Sequence, residues 1–253
     1  MGVLRPIVMA FSCFSAIPVP YIEWDERSMR HMMAAFPLVG AVIGVSLWLW
    51  WLVSEALEFG FLLRSAGLTV LPIAISGGIH MDGFADVIDA QSSHASQERK
   101  REILKDPHVG AFAIVAICCY LLAFCSLAGE IDARELPLCV GIPVLSRCLS
   151  GFATVSYRPA RTDGMYAAEN GSADRRSTRL ALAVLFVLVG TGLIARDAIV
   201  ALAMLASGIA TMLAVRHLAE REYGGMSGDL AGFLLQVSEL VMLACIVVVG
   251  RLV

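Results

Sequence analysis

The chain is 253 residues long, 58% hydrophobic and only 16% charged, with a mean hydropathy of +0.76. A soluble domain carries about 25% charged residues, so one water-soluble core could not hide this much apolar surface, and the sequence reads as a polytopic membrane protein. The formal charge of −3 leaves no basic excess for nucleic acid as a main partner, and the same composition excludes secreted disulfide scaffolds, disordered tails and coiled coils.

Arg5 precedes the apolar run Ile7–Ile17, and Ile17-Pro18-Val19-Pro20 then stops any helix. No small-x-small cleavage site follows, so the run is expected to be a retained N-terminal helix, interfacial or partly inserted. A crossing helix needs about 20 apolar residues. Seven segments qualify: Met33–Val53, Ser65–Met81, Val109–Gly129, Leu136–Thr154, Leu180–Ala195, Ala198–Val215 and Leu230–Gly250. The second, fifth and sixth are short, and only Arg196-Asp197 separates the last two of these. Pro37, Gly40 and Gly44 in the first span favour close helix contacts. The predicted fold is an all-α, polytopic helical bundle in a single domain, residues 1–253. The seven cysteines lie in apolar stretches, without CxxC or zinc spacing, and read as core or lipid-facing thiols.

The most informative stretch is Gly77-Gly78-Ile79-His80-Met81-Asp82-Gly83-Phe84-Ala85-Asp86-Val87-Ile88-Asp89-Ala90. Its three carboxylates fall at i, i+4 and i+7, on one helical face. A solvated acidic face is the ordinary meaning of such spacing, yet here the intervening residues are apolar and the segment continues a span without a break. Like charges on one face repel. Either a hard divalent ion shared with a phosphate supplies the missing positive charge, or the carboxylates pair with the basic loop that follows. Gly77, Gly78 and Gly83 would let backbone approach a bulky ligand. On a helix continuous with Asp82, His80 points about 160° away from the acids. It is then a packing residue, and it joins the site only if the helix breaks or starts near Gly77-Gly78.

Downstream, Arg99-Lys100-Arg101 reads as an ordinary cytoplasmic loop, whereas Lys105-Asp106-Pro107-His108-Val109-Gly110 sets charges at the mouth of the third span. A lysine there can hold phosphate as a point charge, and the aspartate can ligate metal or orient a nucleophile. Val155–Arg179 is the longest hydrophilic connection. Gly224-Gly225-Met226-Ser227-Gly228-Asp229 is a glycine-rich turn opening the last span. Arg147 and Glu239 are the full charges inside expected spans, at matching depth, and read as an ion pair serving as a clamp or a pocket wall. Alternate connections hold 13 against 4 Lys and Arg. By the positive-inside rule the richer set, with the acids, is cytoplasmic and the C-terminus lies outside.

With these residues assembled, the chain resembles the cobalamin synthases, or adenosylcobinamide-GDP ribazoletransferases. The resemblance runs along nearly the whole chain: Ile17-Pro18-Val19-Pro20, Phe36-Pro37-Leu38-Val39-Gly40, the Gly77–Asp89 string, Lys105–Gly110, Ser146-Arg147 and Gly224–Gly232. Departures are Ala16, where many members carry Arg, Ala90 in place of Gly, and Ser227 in place of Thr. Ala16 removes a phosphate role for that N-terminal Arg. The resemblance implies joining of alpha-ribazole, or its 5′-phosphate, to adenosylcobinamide-GDP with release of GMP, in a bacterial inner membrane and with Mg²⁺. It further implies Asp82, Asp86 and Asp89 as metal ligands and His80, or a carboxylate, as the base. Lys105 and Arg147 would steady phosphate, while Asp106 and Asp229 would complete the metal shell or bind ribose. Gly77, Gly78, Gly228 and Asp229 form the expected cofactor-binding set. Small-molecule substrates and the bilayer are the expected partners, with a homo-oligomer or a complex with other corrinoid enzymes left open. Two other classes compete. A CDP-alcohol-type phosphotransferase requires Ala-Arg where this chain has Ala85-Asp86. An ion-coupled transporter, suggested by Arg147 and Glu239, places its site near the midplane between repeated halves, whereas these acids gather at one rim.

Overall fold

Glycine and proline decide where the apolar runs become separate helices. The computed structural model describes residues 4–23, 26–160 and 174–253. Among them every regular element is helical, with one isolated parallel bridge between Pro159 and Met226. The helices are α1 (Leu4–Phe14), α2 (Glu26–Ala56), α3 (Phe61–Ser76), α4 (Ile79–Ser92), α5 (Gln97–Ile103), α6 (Ala111–Gly129), α7 (Leu136–Ser156), α8 (Arg175–Ile194), α9 (Ala198–Leu218) and α10 (Gly228–Gly250), with a π turn at Ala219–Tyr223. Six stretches are long and apolar enough to cross a membrane: His31–Ala56, Ala111–Gly129, Leu136–Ser156, Arg175–Ile194, Ala198–Tyr223 and Gly228–Gly250. The protein is a multi-pass helical membrane bundle. The short hairpin expected around Arg196-Asp197 is two full-length helices, the second capped by the Asp197 carboxylate, which accepts from Val200 N–H at 3.0 Å.

The expected second span, Ser65–Met81, is corrected. Gly77 and Gly78 both adopt left-handed backbone, φ +66° and +78°. Gly77 N–H donates to the Ala74 carbonyl and Gly78 N–H to that of Ile73, a Schellman ending. The chain turns by 94° between α3 and α4. The acids therefore start a new helix instead of continuing a span. Hydropathy could not register this break, because the apolar run passes straight through it.

Two sets of contacts define the two ends of the bundle. At one, Arg64 pairs with Glu55, Phe61 approaches Gly129, and Arg251 donates to the Glu130 carbonyl at 2.8 Å. Arg134 and Arg196 border the same end with Asp132, Glu135 and Asp197. At the other, Lys100 pairs with Glu222 at 2.6 Å, Arg179 donates to the Val155 carbonyl at 2.9 Å, and Pro159 bridges Met226. The four cations of the sparse set thus stand at one end, and those of α5 and of the α7 and α9 termini at the other. Among the described residues six helices are long enough to run between these ends, and the bent pair α3–α4 makes up to seven, with 16 residues in α3.

The centre is α2 against α7, with α10 alongside. An added Cβ at Gly44 would lie 2.5 Å from the Val140 carbonyl oxygen, and one at Gly40 would overlap that of Pro143, so the two glycines permit the close approach. Fully buried Val39, Ile43, Leu145, Met204 and Met242 fill the core beside them. Within it, Arg147 Nη1 donates to Glu239 Oε1 at 2.9 Å, and Ser146 Oγ donates to the same oxygen at 2.8 Å. Removing one partner of such a buried pair costs about 3–5 kcal/mol. The pair is a clamp between α7 and α10.

Candidate active site

The α4–α10 crossing builds the site. Ser227 caps α10, its Oγ accepting from Leu230 N–H at 3.2 Å. The first turn of α10 then lies directly against the first turns of α4. A Cβ at Gly83 would sit 2.8 Å from the Asp229 carbonyl oxygen and 2.9 Å from its Cα, and one at Gly232 would sit 3.1 Å from the His80 carbonyl oxygen. Gly83 therefore admits the protein's own helix, where a ligand was expected. This contact brings Asp82, on α4, and Asp229, 147 positions later, to one cavity of about 290 Å³. Its lining is Phe14, Met33, Phe36, Ile79, His80, Asp82, Gly83, Ser150, Thr154, Gly228, Asp229, Ala231 and Gly232.

The break at Gly77-Gly78 meets the condition set for His80. It occupies the first turn of α4, is 5% exposed, and lines the cavity. Its ring stacks on Phe36 with centroids 5.6 Å apart and meets Phe14 edge-on at 6.3 Å. Its Nδ1 is buried without a hydrogen-bond partner among the described residues. Arg147 also approaches Phe36, its guanidinium 5.6 Å from the ring centroid. At 1% exposure and bound to Glu239, it is outside the cavity lining.

Asp89 has a different partner from Asp82. Its Oδ2 accepts from Gly110 N–H at 2.5 Å and its Oδ1 from Ala113 N–H at 2.9 Å. It thus caps α6 from a neighbouring helix, and a Cβ at Gly110 would lie 2.6 Å from Oδ1, which accounts for that glycine. Along a helix, i and i+7 stand about 10 Å apart, too far for one ion to touch both Asp82 and Asp89. Lys105 and Asp106 are exposed on the α5–α6 connection and off the cavity wall. Asp106 accepts from His108 N–H at 3.0 Å, which holds its carboxyl below the usual carboxylate range.

The basic loop is spent elsewhere. Arg99 pairs with Glu102, Lys100 with Glu222 and Gln91, and Arg101 donates to the Tyr223 carbonyl at 2.6 Å. Among the described residues no Lys or Arg pairs with Asp82, Asp86 or Asp229. The charges bearing on Asp86 are Asp82, Asp229 and Asp89, all of its own sign. Of the two readings of the acidic face, pairing with the following loop is absent here.

No three His, Cys, Asp or Glu side chains form a metal cage among the described residues. A hard ion such as Mg²⁺ is usually held by one or two carboxylates with waters and substrate phosphate completing the shell. Asp82 and Asp229 fit that description, with Asp86 adjacent. Gly77 and Gly78 form the hinge and Gly228 borders the cavity in open space. Ser150, Thr154, Met33, Phe14 and Phe36 also line it and were not expected in the site. A polar i, i+4 pair inside an otherwise apolar span is the one signal that could have found Ser150 and Thr154.

Comparison with known proteins adds an independent line. The profile of the family described as Cobalamin-5-phosphate synthase matches residues 6–247. An adenosylcobinamide-GDP ribazoletransferase from Lachnoclostridium phytofermentans is 38% identical, over 94% of this chain and 91% of its own. Proteins of the same name from Clostridium botulinum (strain Alaska E43 / Type E3) and Geobacillus kaustophilus are each 32% identical. They cover 97% and 93% of this chain, and 98% and 92% of their own lengths. No solved structure matches.

Proposed function

Because the chain belongs to the cobalamin-5-phosphate synthase family, we propose that it is an adenosylcobinamide-GDP ribazoletransferase acting late in cobalamin biosynthesis. It transfers the cobinamide phosphate of adenosylcobinamide-GDP to alpha-ribazole or its 5′-phosphate, and GMP leaves. The observation that carries the site is the convergence of Asp82 and Asp229 on one cavity with no described cation to neutralise them. Phosphoryl transfer asks little covalent chemistry of a protein and depends on positioning and charge.

Asp82 and Asp229, with Asp86 beside them, would hold Mg²⁺, which when bound supplies neutralising charge to the pyrophosphate. The ribazole hydroxyl oxygen forms a bond to the phosphorus bearing cobinamide, and the bond from that phosphorus to the GMP oxygen breaks. The hydroxyl proton passes to His80 or to a carboxylate oxygen on the cavity wall. Asp89, Lys105, Asp106 and Arg147 act through the fold and the rim, away from the reacting atoms. The protein would sit in a bacterial inner membrane with this end in the cytoplasm, a reading supported by the 13-to-4 division of cations.

The test is GMP release by the purified protein in detergent or liposomes, from adenosylcobinamide-GDP and alpha-ribazole. Release that needs Mg²⁺ and stops with a chelator is expected. Release indifferent to the chelator removes the metal from the mechanism, and no release under any divalent ion removes the activity.

A further inference from the structure

The cavity is lined by groups of two kinds, polar Asp82, Asp229, Ser150 and Thr154, and apolar Phe14, Phe36 and Met33. Phe14 and Phe36 touch, ring centroids 4.5 Å apart, and His80 extends the same aromatic wall by stacking on Phe36. The transferase reading uses His80 and leaves Phe14 and Phe36 without a role.

Resting on that reading, we infer that the aromatic wall seats the benzimidazole base of the ribazole acceptor, with its ribose directed toward Asp82 and Asp229. Size supports this occupant: about 290 Å³ lies at the low end of small-ligand cavities, about 300–1,000 Å³. That is room for a nucleoside.

Chemistry separates the two bases present in the reaction. Guanine presents an N–H edge that a protein reads with acceptors such as carboxylates, and the wall of Phe14, Phe36 and His80 carries no carboxylate. A methylated benzimidazole has no N–H edge. It offers a flat apolar face for stacking and one ring nitrogen, not bonded to ribose, that accepts a hydrogen bond. The wall offers the matching surface: aromatic faces, the Met33 thioether, and one hydrogen-bonding group, His80.

Binding of alpha-ribazole alone, followed by its own fluorescence on the purified protein, tests the seat without turnover. In Phe14→Ala, binding is expected to weaken on the order of tenfold and the KM for ribazole to rise by a similar factor, with the KM for adenosylcobinamide-GDP within about twofold. Phe14→Leu keeps an apolar filler and removes the ring, so it should resemble Phe14→Ala, and Phe14→Trp should resemble the unsubstituted protein. A shift in the KM for adenosylcobinamide-GDP alone would assign the wall to guanine and overturn the inference. Unchanged constants in all three variants would reduce the wall to packing and overturn it equally. Ribazole binding without GMP release would sink the transferase reading and leave the seat standing.

Discussion

Replacing Gly83 with alanine puts a methyl carbon 2.8 Å from the Asp229 carbonyl oxygen and 2.9 Å from its Cα, where ordinary contacts begin near 3.4 Å. The obstacle is backbone on a helix start, with no flexible side chain to yield, so α4 and α10 must part by about 0.6 Å. Overpacking of this kind costs about 1–3 kcal/mol, and alanine returns about 1 kcal/mol of helix propensity. The net loss of stability is therefore modest, from near zero to about 2 kcal/mol. Activity should suffer more. The displacement falls between the two carboxylates that face the cavity, and a shift approaching 1 Å at a reacting site costs on the order of 10²-fold in rate. Gly83→Ala should remain folded by thermal unfolding in detergent while its initial rate of GMP release drops by about that factor. Gly228→Ala is the control, because a Cβ there meets nothing within 4 Å. If Gly83→Ala keeps full rate while Gly228→Ala loses it, the glycines serve a ligand, and the argument from helix crossing is refuted.

Asp82→Asn should retain its melting temperature and lose turnover by at least about 10²-fold, whereas Asp89→Ala should lose about 0.5–2 kcal/mol of stability and keep measurable turnover. Near-normal activity of Asp82→Asn with Mg²⁺ would take Asp82 out of the chemistry. Arg147→Met and Glu239→Gln should each destabilise by about 3–5 kcal/mol and the double variant by less than their sum, with simple additivity counting against contact. A reporter fused at Val253 should behave as external, since seven traverses leave the end of α10 opposite the acids, and a cytoplasmic signal would break the traverse count.

Apolar segments and their depth were the most legible part of the sequence. Six of the seven expected spans are helices with nearby limits, because hydropathy integrates over a whole segment. Arg147–Glu239 was readable for a related reason: two charges at equal depth have few partners besides each other. The acidic string shows where such reading stops. Periodicity of i, i+4 and i+7 reports a shared face and says nothing of distance along the axis. It therefore grouped Asp89 with Asp82, although Asp89 caps another helix. The partner that Asp82 does meet, Asp229, comes from a helix start brought in by tertiary packing across glycine, and no local pattern encodes that. The same holds for Phe14 and Ser150, which reach the cavity from α1 and α7. Gly77-Gly78 was in plain view as a dipeptide, yet whether it passes through a span or turns the chain depends on backbone dihedrals that composition does not state. The connection bearing Asp163, Glu169 and Asn170-Gly171 lies outside the described residues.

The brevity of α3 has a consequence for the lipid around the protein. Its 16 residues rise about 24 Å, against a hydrocarbon slab of about 30 Å. α4 turns off by 94° instead of extending that rise, so the cavity on its first turns would form a protein-walled basin at the end of a shortened span. Water-borne reactants can settle into such a basin without entering the acyl region. Once they displace solvent there, the weakly polarisable surroundings magnify each attraction between phosphate and its counter-charge. A membrane address is then an asset to a reaction between polar partners.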